Sequence, residues 1–136
     1  MTKKSNPFIT LLNAVLPPII WAAMIFFLSS QPVLPGIEVS SLDFVLKKVG
    51  HMFVYAVLYV LTYRGTTILF SSAAQAKQSK RKQLLLLLLP IALCLVYAIS
   101  DEIHQSFTPN RFPSGRDVGY DMFGVFVSYL KIHRYI

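Results

Sequence analysis

Long apolar runs alternate with short polar segments along the chain, and this pattern predicts four helices. The runs cover approximately residues 8–30, 43–63, 84–105 and 116–132. An α-helix needs roughly 20 apolar residues to cross about 30 Å of hydrocarbon. The first three runs reach that length, and the fourth is shorter and begins with an acidic turn. The pattern therefore predicts an all-α, polytopic bundle of four transmembrane helices.

Polar residues at the helix starts support these boundaries. Ser40 or Ser41 is suited to cap the second helix, with Asp43 in its first turn. The segment Ser114-Gly115-Arg116-Asp117 has the Ser-x-x-acid form of a capping box, which predicts that the fourth helix starts there.

Composition agrees with a membrane location. The chain of 136 residues is 54% hydrophobic and 14% charged, with a mean hydropathy of +0.55. Soluble domains carry about 25% charged residues. Cys94 is the single cysteine, so a disulfide framework within one chain is excluded. The chain is long enough for one domain, predicted to be a single transmembrane unit.

The distribution of charge predicts the orientation. One side of the predicted bundle carries both termini and the basic segment 64–83, and its basic residues are Lys3, Lys4, Arg64, Lys77, Lys80, Arg81, Lys82, Lys131 and Arg134. All six acids fall on the other side. The positive-inside rule places both termini in the cytoplasm and the acids outside. The net charge of +7 is therefore interpreted as a topology signal, and no nucleic-acid partner is expected.

Ionisable residues are concentrated at the outer ends of the predicted helices. Charges at the edge of hydrocarbon are costly, so this concentration predicts a functional site. Lys48, His51 and Tyr55 are spaced three and four apart and share one helix face. Asp101 shares a face with Gln105, from which Glu102 is turned by about 100°.

Two kinds of chemistry fit these residue types. Arginine binds phosphate or carboxylate through two parallel N–H bonds, and crowded carboxylates beside a histidine are suited to general acid–base work. The predicted headgroup-binding set is Lys48, Gln105, Arg111, Arg116 and Asp117. The predicted catalytic set is His51, Asp101, Glu102 and Asp121. Gln105 is expected to orient one of the acids.

Alternatives remain open at this point. The charged residues could form an ion-pair network that only ties the loop to the helices, and Asp121 is expected to pair with Lys48, Arg111 or Arg116. A hard divalent cation is a weaker alternative, because the sequence has no HExxH-like ligand spacing. No metal and no cofactor is predicted.

The chain resembles the VanZ-like family of bacterial membrane proteins over nearly its whole length. Three segments carry the resemblance. They are FFLSSQP after helix 1, Lys47-Lys48-x-x-His51 with Tyr55, and a carboxy-terminal pattern of Asp101-Glu102-x-x-Gln105, Phe107, Pro109, Arg111 and Asp117-x-x-x-Asp121-x-x-Gly124. Met52 and Ser128 depart from residues common in the family. The resemblance implies a multi-pass protein of the bacterial cytoplasmic membrane, associated with low-level resistance to teicoplanin-type glycopeptides. It brings no established reaction.

These observations lead to two function hypotheses. In the first, an outward-facing polar pocket binds, and in an enzymatic version modifies, the headgroup of an anionic membrane lipid or a lipid-linked cell-wall precursor. In the second, the protein is a non-enzymatic accessory protein whose polar network is structural. Ion conduction is weaker, because the acids lie at one face only. The ligand and the oligomeric state are left open.

Overall fold

A computed structural model describes residues 6–31, 40–70, 79–108 and 113–135. These ranges form four helices: α1 (Pro7–Ser29), α2 (Ser40–Phe70), α3 (Lys80–Gln105) and α4 (Gly115–Ile132). The all-helical fold agrees with the apolar pattern.

Local capping explains where α1 and α4 begin. The Asn6 side chain accepts a hydrogen bond from the backbone N–H of Phe8 at 3.0 Å, and Pro7 occupies the first helical position, where no N–H is needed. Ser114 caps α4 by accepting from the backbone N–H of Arg116 at 3.3 Å. Each of these two helices thus begins next to a residue whose side chain satisfies an otherwise free backbone N–H donor.

α2 continues beyond its predicted end at residue 63, into a segment expected to be a solvated linker. The extra turns are held by contact with α1. Arg64 donates from Nη1 to the backbone carbonyl of Asn13 at 3.0 Å. A Cβ at Gly65 would overlap the backbone carbonyl of Ala14, so the glycine lets the two helices approach closely. α3 also starts earlier than predicted, at Lys80 instead of Leu84, because the basic residues before the leucine run are good helix formers.

The four helices form an up-down-up-down bundle centred on α2. α2 packs against each of the other helices, most extensively against α4, whereas α1 and α4 do not pack together within the described ranges. The side chain of Tyr97 on α3 donates to the carbonyl of Ala22 on α1 at 2.6 Å. Trp21 Nε1 donates to the carbonyl of Val54 on α2 at 2.8 Å. The carboxyl ends of α1 and α3 therefore meet the amino-terminal halves of α2 and α4 at one end of the bundle.

Apolar side chains cover the outside of the bundle as well as its core. The core contains Tyr55, Leu58, Tyr59, Cys94, Ala98, Val125 and Ile25. Phe27, Ile20, Phe53 and Val96 are each more than half exposed. Exposed apolar surface of this kind is expected of a bundle surrounded by hydrocarbon. α1, α2 and α3 are long and apolar enough to cross a membrane, while α4, with 18 residues and several charges, does not meet the same criterion.

Candidate functional site

Polar side chains from all four helices meet at one end of the bundle, which we call the polar end. Its residues are Ser29 and Ser30 of α1, Lys48, His51 and Tyr55 of α2, Asp101, Glu102, His104 and Gln105 of α3, and Ser114, Asp117 and Asp121 of α4 or its cap. Asp101, Glu102, Gln105 and Asp121 are all buried there. Burial of polar groups is unfavourable unless they are paired, so the geometry of each group matters.

His51 and Asp121 form the innermost ionisable pair. His51 Nδ1 lies 3.0 Å from Asp121 Oδ1, and Asp121 has no exposed surface. The pair can form because α4 approaches α2 closely: one turn after Asp121, a Cβ at Gly124 would overlap the backbone carbonyl of Met52. Of the predicted partners of Asp121, Lys48 and Arg116 do not pair with it, and Arg111 lies outside the described residues. The partner of Asp121 is a histidine from the adjacent helix.

Lys48 is already engaged by an acid. Its ammonium forms an ion pair with Asp117 and lies over the rings of Phe44 and Tyr120, 5.3 and 5.4 Å from their centroids. The structure thus brings together two residues of the predicted headgroup-binding set, but it pairs them with each other. Lys48 is not a free cation, because binding a second anion would require it to share or leave Asp117.

Asp101 connects α3 to α1. Its Oδ1 accepts from the hydroxyl of Ser29 at 2.6 Å and its Oδ2 accepts from Gln105 Nε2 at 2.9 Å. One turn away, His104 Nε2 lies 3.0 Å from Ser30 Oγ, and its ring stacks on Phe26 at a centroid distance of 4.2 Å. Both carboxylate oxygens of Asp101 are therefore occupied by donors that hold it in place.

The serines at the end of α1 were absent from the predicted site. A signal for them exists in the sequence, since Ser29 and Ser30 are small polar residues at the outer end of a long apolar run. Two such hydroxyls at the depth of the acids on α3 are suited to hydrogen-bond across helices.

Glu102 is buried although its position on α3 is turned away from Asp101. The chain folds back after α3, and the start of α4 covers Glu102, whose Oε2 accepts from the backbone N–H of Ser114 at 2.7 Å. In a complete capping box, Asp117 would accept that N–H. Here Glu102 accepts the Ser114 N–H in place of Asp117, and Asp117 forms an ion pair with Lys48. The bond between Glu102 and Ser114 joins α3 to the start of α4 at the polar end.

Of the two arginines in the predicted headgroup-binding set, the structure describes only Arg116. Arg116 lies exposed in the first turn of α4, and no acid in the described ranges pairs with it. Arg111 falls outside the described residues, so its predicted role stays a prediction. Arg116 is accordingly the cation of the set that remains available at the surface.

Three buried polar atoms at the polar end have no hydrogen-bond partner among the described residues: Tyr55 Oη, Glu102 Oε1 and Asp121 Oδ2. Tyr55 lies within electrostatic range of Asp101 and Asp121, and Glu102 lies within range of Asp121 and His51. Within the part of the chain that the structure describes, no three His, Cys, Asp or Glu side chains are grouped to hold a metal ion. The unpaired atoms therefore mark a place where a polar partner would be stabilised.

Comparison with protein-family models gives a match over most of the chain. The VanZ/LLP1 family model matches residues 14–134, a range that contains every residue of the polar end. The chain belongs to the VanZ/LLP1 family. At the polar end of this chain, Ser29 bonds to Asp101 and His51 lies beside Asp121. Comparison with curated proteins and with solved structures gave no match.

Proposed function

We propose that this VanZ/LLP1 protein is a four-span protein of the bacterial cytoplasmic membrane whose polar end faces outside and binds a lipid headgroup. The ligand is an anionic membrane lipid or a lipid-linked cell-wall precursor, and the cellular role is in the envelope response to teicoplanin-type glycopeptides. The observation that supports the proposal is the burial of three carboxyl groups at the polar end, together with three buried polar atoms that have no hydrogen-bond partner among the described residues. Such atoms are costly in hydrocarbon unless a ligand or water satisfies them.

Arg116 is the residue best suited to hold a phosphate. It is exposed at the start of α4, where the free backbone N–H groups and the helix dipole favour negative charge. The guanidinium fork adds two parallel hydrogen bonds to a phosphate oxygen pair. Arg111, five residues earlier in the sequence, is proposed to act beside it.

Chemical modification of the headgroup is a second candidate, favoured by the His51–Asp121 pair. Asp121 orients the imidazole from inside the bundle, while the His51 side chain keeps 19% of its surface exposed. A histidine oriented by a buried carboxylate can take a proton from a headgroup hydroxyl or from water. In this role His51 is the proton acceptor, and Asp101 and Glu102 position the surrounding helices.

The proposed topology predicts that the two ends of α3 differ in their accessibility to a reagent added outside the cell. Exposed Ser79 precedes α3 and exposed Ser106 follows it. With Cys94 replaced by alanine, a membrane-impermeant maleimide applied to intact cells is expected to label Ser106→Cys and not Ser79→Cys. Opening the membrane should make Ser79→Cys reactive. Labelling of both cysteines in intact cells would refute the proposed orientation and the outward-facing site.

Headgroup binding predicts that the purified protein in detergent binds phosphatidylglycerol more tightly than a diacylglycerol with the same chains. Arg116→Gln is expected to weaken phosphatidylglycerol binding about tenfold, since a charge-assisted hydrogen bond contributes about 1.5 kcal/mol or more. Lipid retention in native mass spectrometry would measure the affinity. Lys131→Gln, which removes an exposed charge at the other end of α4, is the matched control and should leave the affinity unchanged.

Arginine geometry gives a second readout of the same site. If a phosphate is held through two parallel N–H bonds, Arg111→Lys and Arg116→Lys retain the charge but lose the fork, so both should bind phosphatidylglycerol more weakly. Equal affinity for phosphatidylglycerol and diacylglycerol, with no effect of any arginine variant, would favour the accessory-protein hypothesis, in which the polar network is structural.

A further inference from the structure

The three unpaired atoms at the polar end come from three different helices and are fully or almost fully buried. Tyr55 and Asp121 have no exposed surface, and Glu102 keeps 6%. Within the part of the chain that the structure describes, the atoms without a hydrogen-bond partner are one phenol oxygen and two carboxylate oxygens: Tyr55 Oη, Glu102 Oε1 and Asp121 Oδ2. An ionised carboxylate oxygen only accepts hydrogen bonds, whereas a phenol group can accept one and donate one. A hydrogen-bond donor is therefore the kind of partner that all three atoms can share.

The balance of charge around these atoms specifies the donor further. Asp101, Glu102 and Asp121 are three buried carboxyl groups, and His51 is the one basic side chain bonded to them among the described residues. Lys48 is held by Asp117 instead. The donors on Asp101 and Glu102 are otherwise neutral: a serine hydroxyl, an amide and a backbone N–H. Buried carboxylates without a counter-ion are costly, so a cationic donor is favoured over a neutral one.

Resting on the headgroup site proposed above, we infer that Tyr55, Glu102 and Asp121 form an acceptor site for a primary ammonium group of the bound headgroup. We call these three residues the ammonium site. A primary ammonium carries three N–H donors, the same number as the unpaired atoms. A trimethylammonium group has none, so it would leave all three atoms unsatisfied. The phosphate of the same headgroup is assigned to Arg116 at the surface.

The site is buried but lies next to a partly exposed residue. The histidine of the His51–Asp121 pair retains 19% of its side-chain surface, so movement of one imidazole would connect Asp121 to the headgroup region. The ligand is accordingly a headgroup with both a phosphate and a primary ammonium. This chemistry occurs in an aminophospholipid, and also in a lipid-linked cell-wall precursor whose peptide carries a free amino group.

The test compares headgroups on identical acyl chains. Native mass spectrometry of the full-length protein in detergent would give its affinities for phosphatidylethanolamine, phosphatidylcholine and phosphatidylglycerol. Phosphatidylethanolamine is expected to bind at least tenfold more tightly than phosphatidylcholine, because only the former offers N–H donors. A parallel comparison uses a lipid-linked precursor with a free lysine amine and the same precursor after acetylation of that amine.

Three conservative variants test whether the ammonium site produces the preference for a primary ammonium group. Tyr55→Phe removes one oxygen. Glu102→Gln and Asp121→Asn keep an acceptor for Ser114 and His51 but place an amide where the free oxygen was. Each should reduce the preference for a primary ammonium about tenfold, and Tyr55→Phe should leave phosphatidylglycerol affinity within twofold. Asp43→Asn is the matched control, since Asp43 lies at the same end and pairs with Lys47 at 2.5 Å; it should change neither affinity. Melting temperatures check the fold, and Tyr55→Phe carries the least risk to it.

The outcomes separate this inference from the headgroup proposal. A preference for phosphatidylethanolamine identifies a phospholipid source, and a preference for the free-amine precursor identifies a precursor source; either supports the ammonium site. Binding of phosphatidylglycerol with no ammonium preference in either comparison overturns the ammonium site and leaves the headgroup site standing. Failure of every phosphate-bearing lipid to bind overturns both.

Discussion

Gly124→Ala is expected to destabilise the folded protein by about 2 kcal/mol or more. The added methyl group would overlap the backbone carbonyl of Met52, and a backbone atom on a packed helix cannot rotate away as a side chain can. α4 would have to move away from α2, the helix with which it shares its most extensive contact. Because Asp121 precedes Gly124 by one turn, the same movement should lengthen its contact with His51.

Gly119→Ala is the matched control for this substitution. Gly119 lies on the same helix, and a Cβ there meets nothing within 4 Å. Unfolding by titration with a denaturing detergent would measure both variants against the unchanged protein. Gly119→Ala should be neutral or slightly stabilising, since alanine favours helix more than glycine does. Equal loss of stability in both variants would show that helix propensity, and not the close approach to α2, controls the effect.

The second large effect is expected at Asp121. Asp121→Ala removes the buried partner of His51 and is expected to cost about 3 kcal/mol of stability, in the range measured for breaking buried charged pairs. Asp121→Asn has nearly the same shape, and its amide oxygen can still accept from His51 Nδ1, so most of the stability should remain. The asparagine lacks the charge that orients and stabilises a protonated imidazole. If this pair carries out the proposed headgroup chemistry, teicoplanin susceptibility at matched protein levels should change to that of cells without the protein.

A double-mutant cycle distinguishes direct pairing from two independent effects. If His51 and Asp121 act together, His51→Ala combined with Asp121→Ala should cost little more stability than Asp121→Ala alone, with a coupling energy of about 1–3 kcal/mol. Additive losses would mean that the 3.0 Å contact contributes little. Normal susceptibility in Asp121→Asn would support a structural network and argue against acid–base chemistry at this pair.

Several features of the fold follow from local sequence. Apolar runs of sufficient length predicted the helices, and Ser114 predicted the start of α4. The end of α2 did not follow, because it depends on a contact with another helix: Arg64 reaches the carbonyl of Asn13, and the helix continues past it. A charged residue after an apolar run can mark the end of a helix, or it can lie within a helix and bond to a neighbouring one. Which of the two occurs depends on the position of the neighbouring helix and not on the segment's own sequence.

Pairing within the site was decided in the same way. Residue type and helix spacing placed His51, Asp101, Glu102 and Asp121 at one end of the bundle, and this location could be predicted from the sequence. It assigned Asp121 to a strong cation, since opposite charges are the simplest pairing. The tertiary structure instead gave Lys48 to Asp117 and His51 to Asp121. The physical reason is the register between α2 and α4, which Gly124 permits by letting the two backbones approach, and no pattern within one helix specifies a register with another.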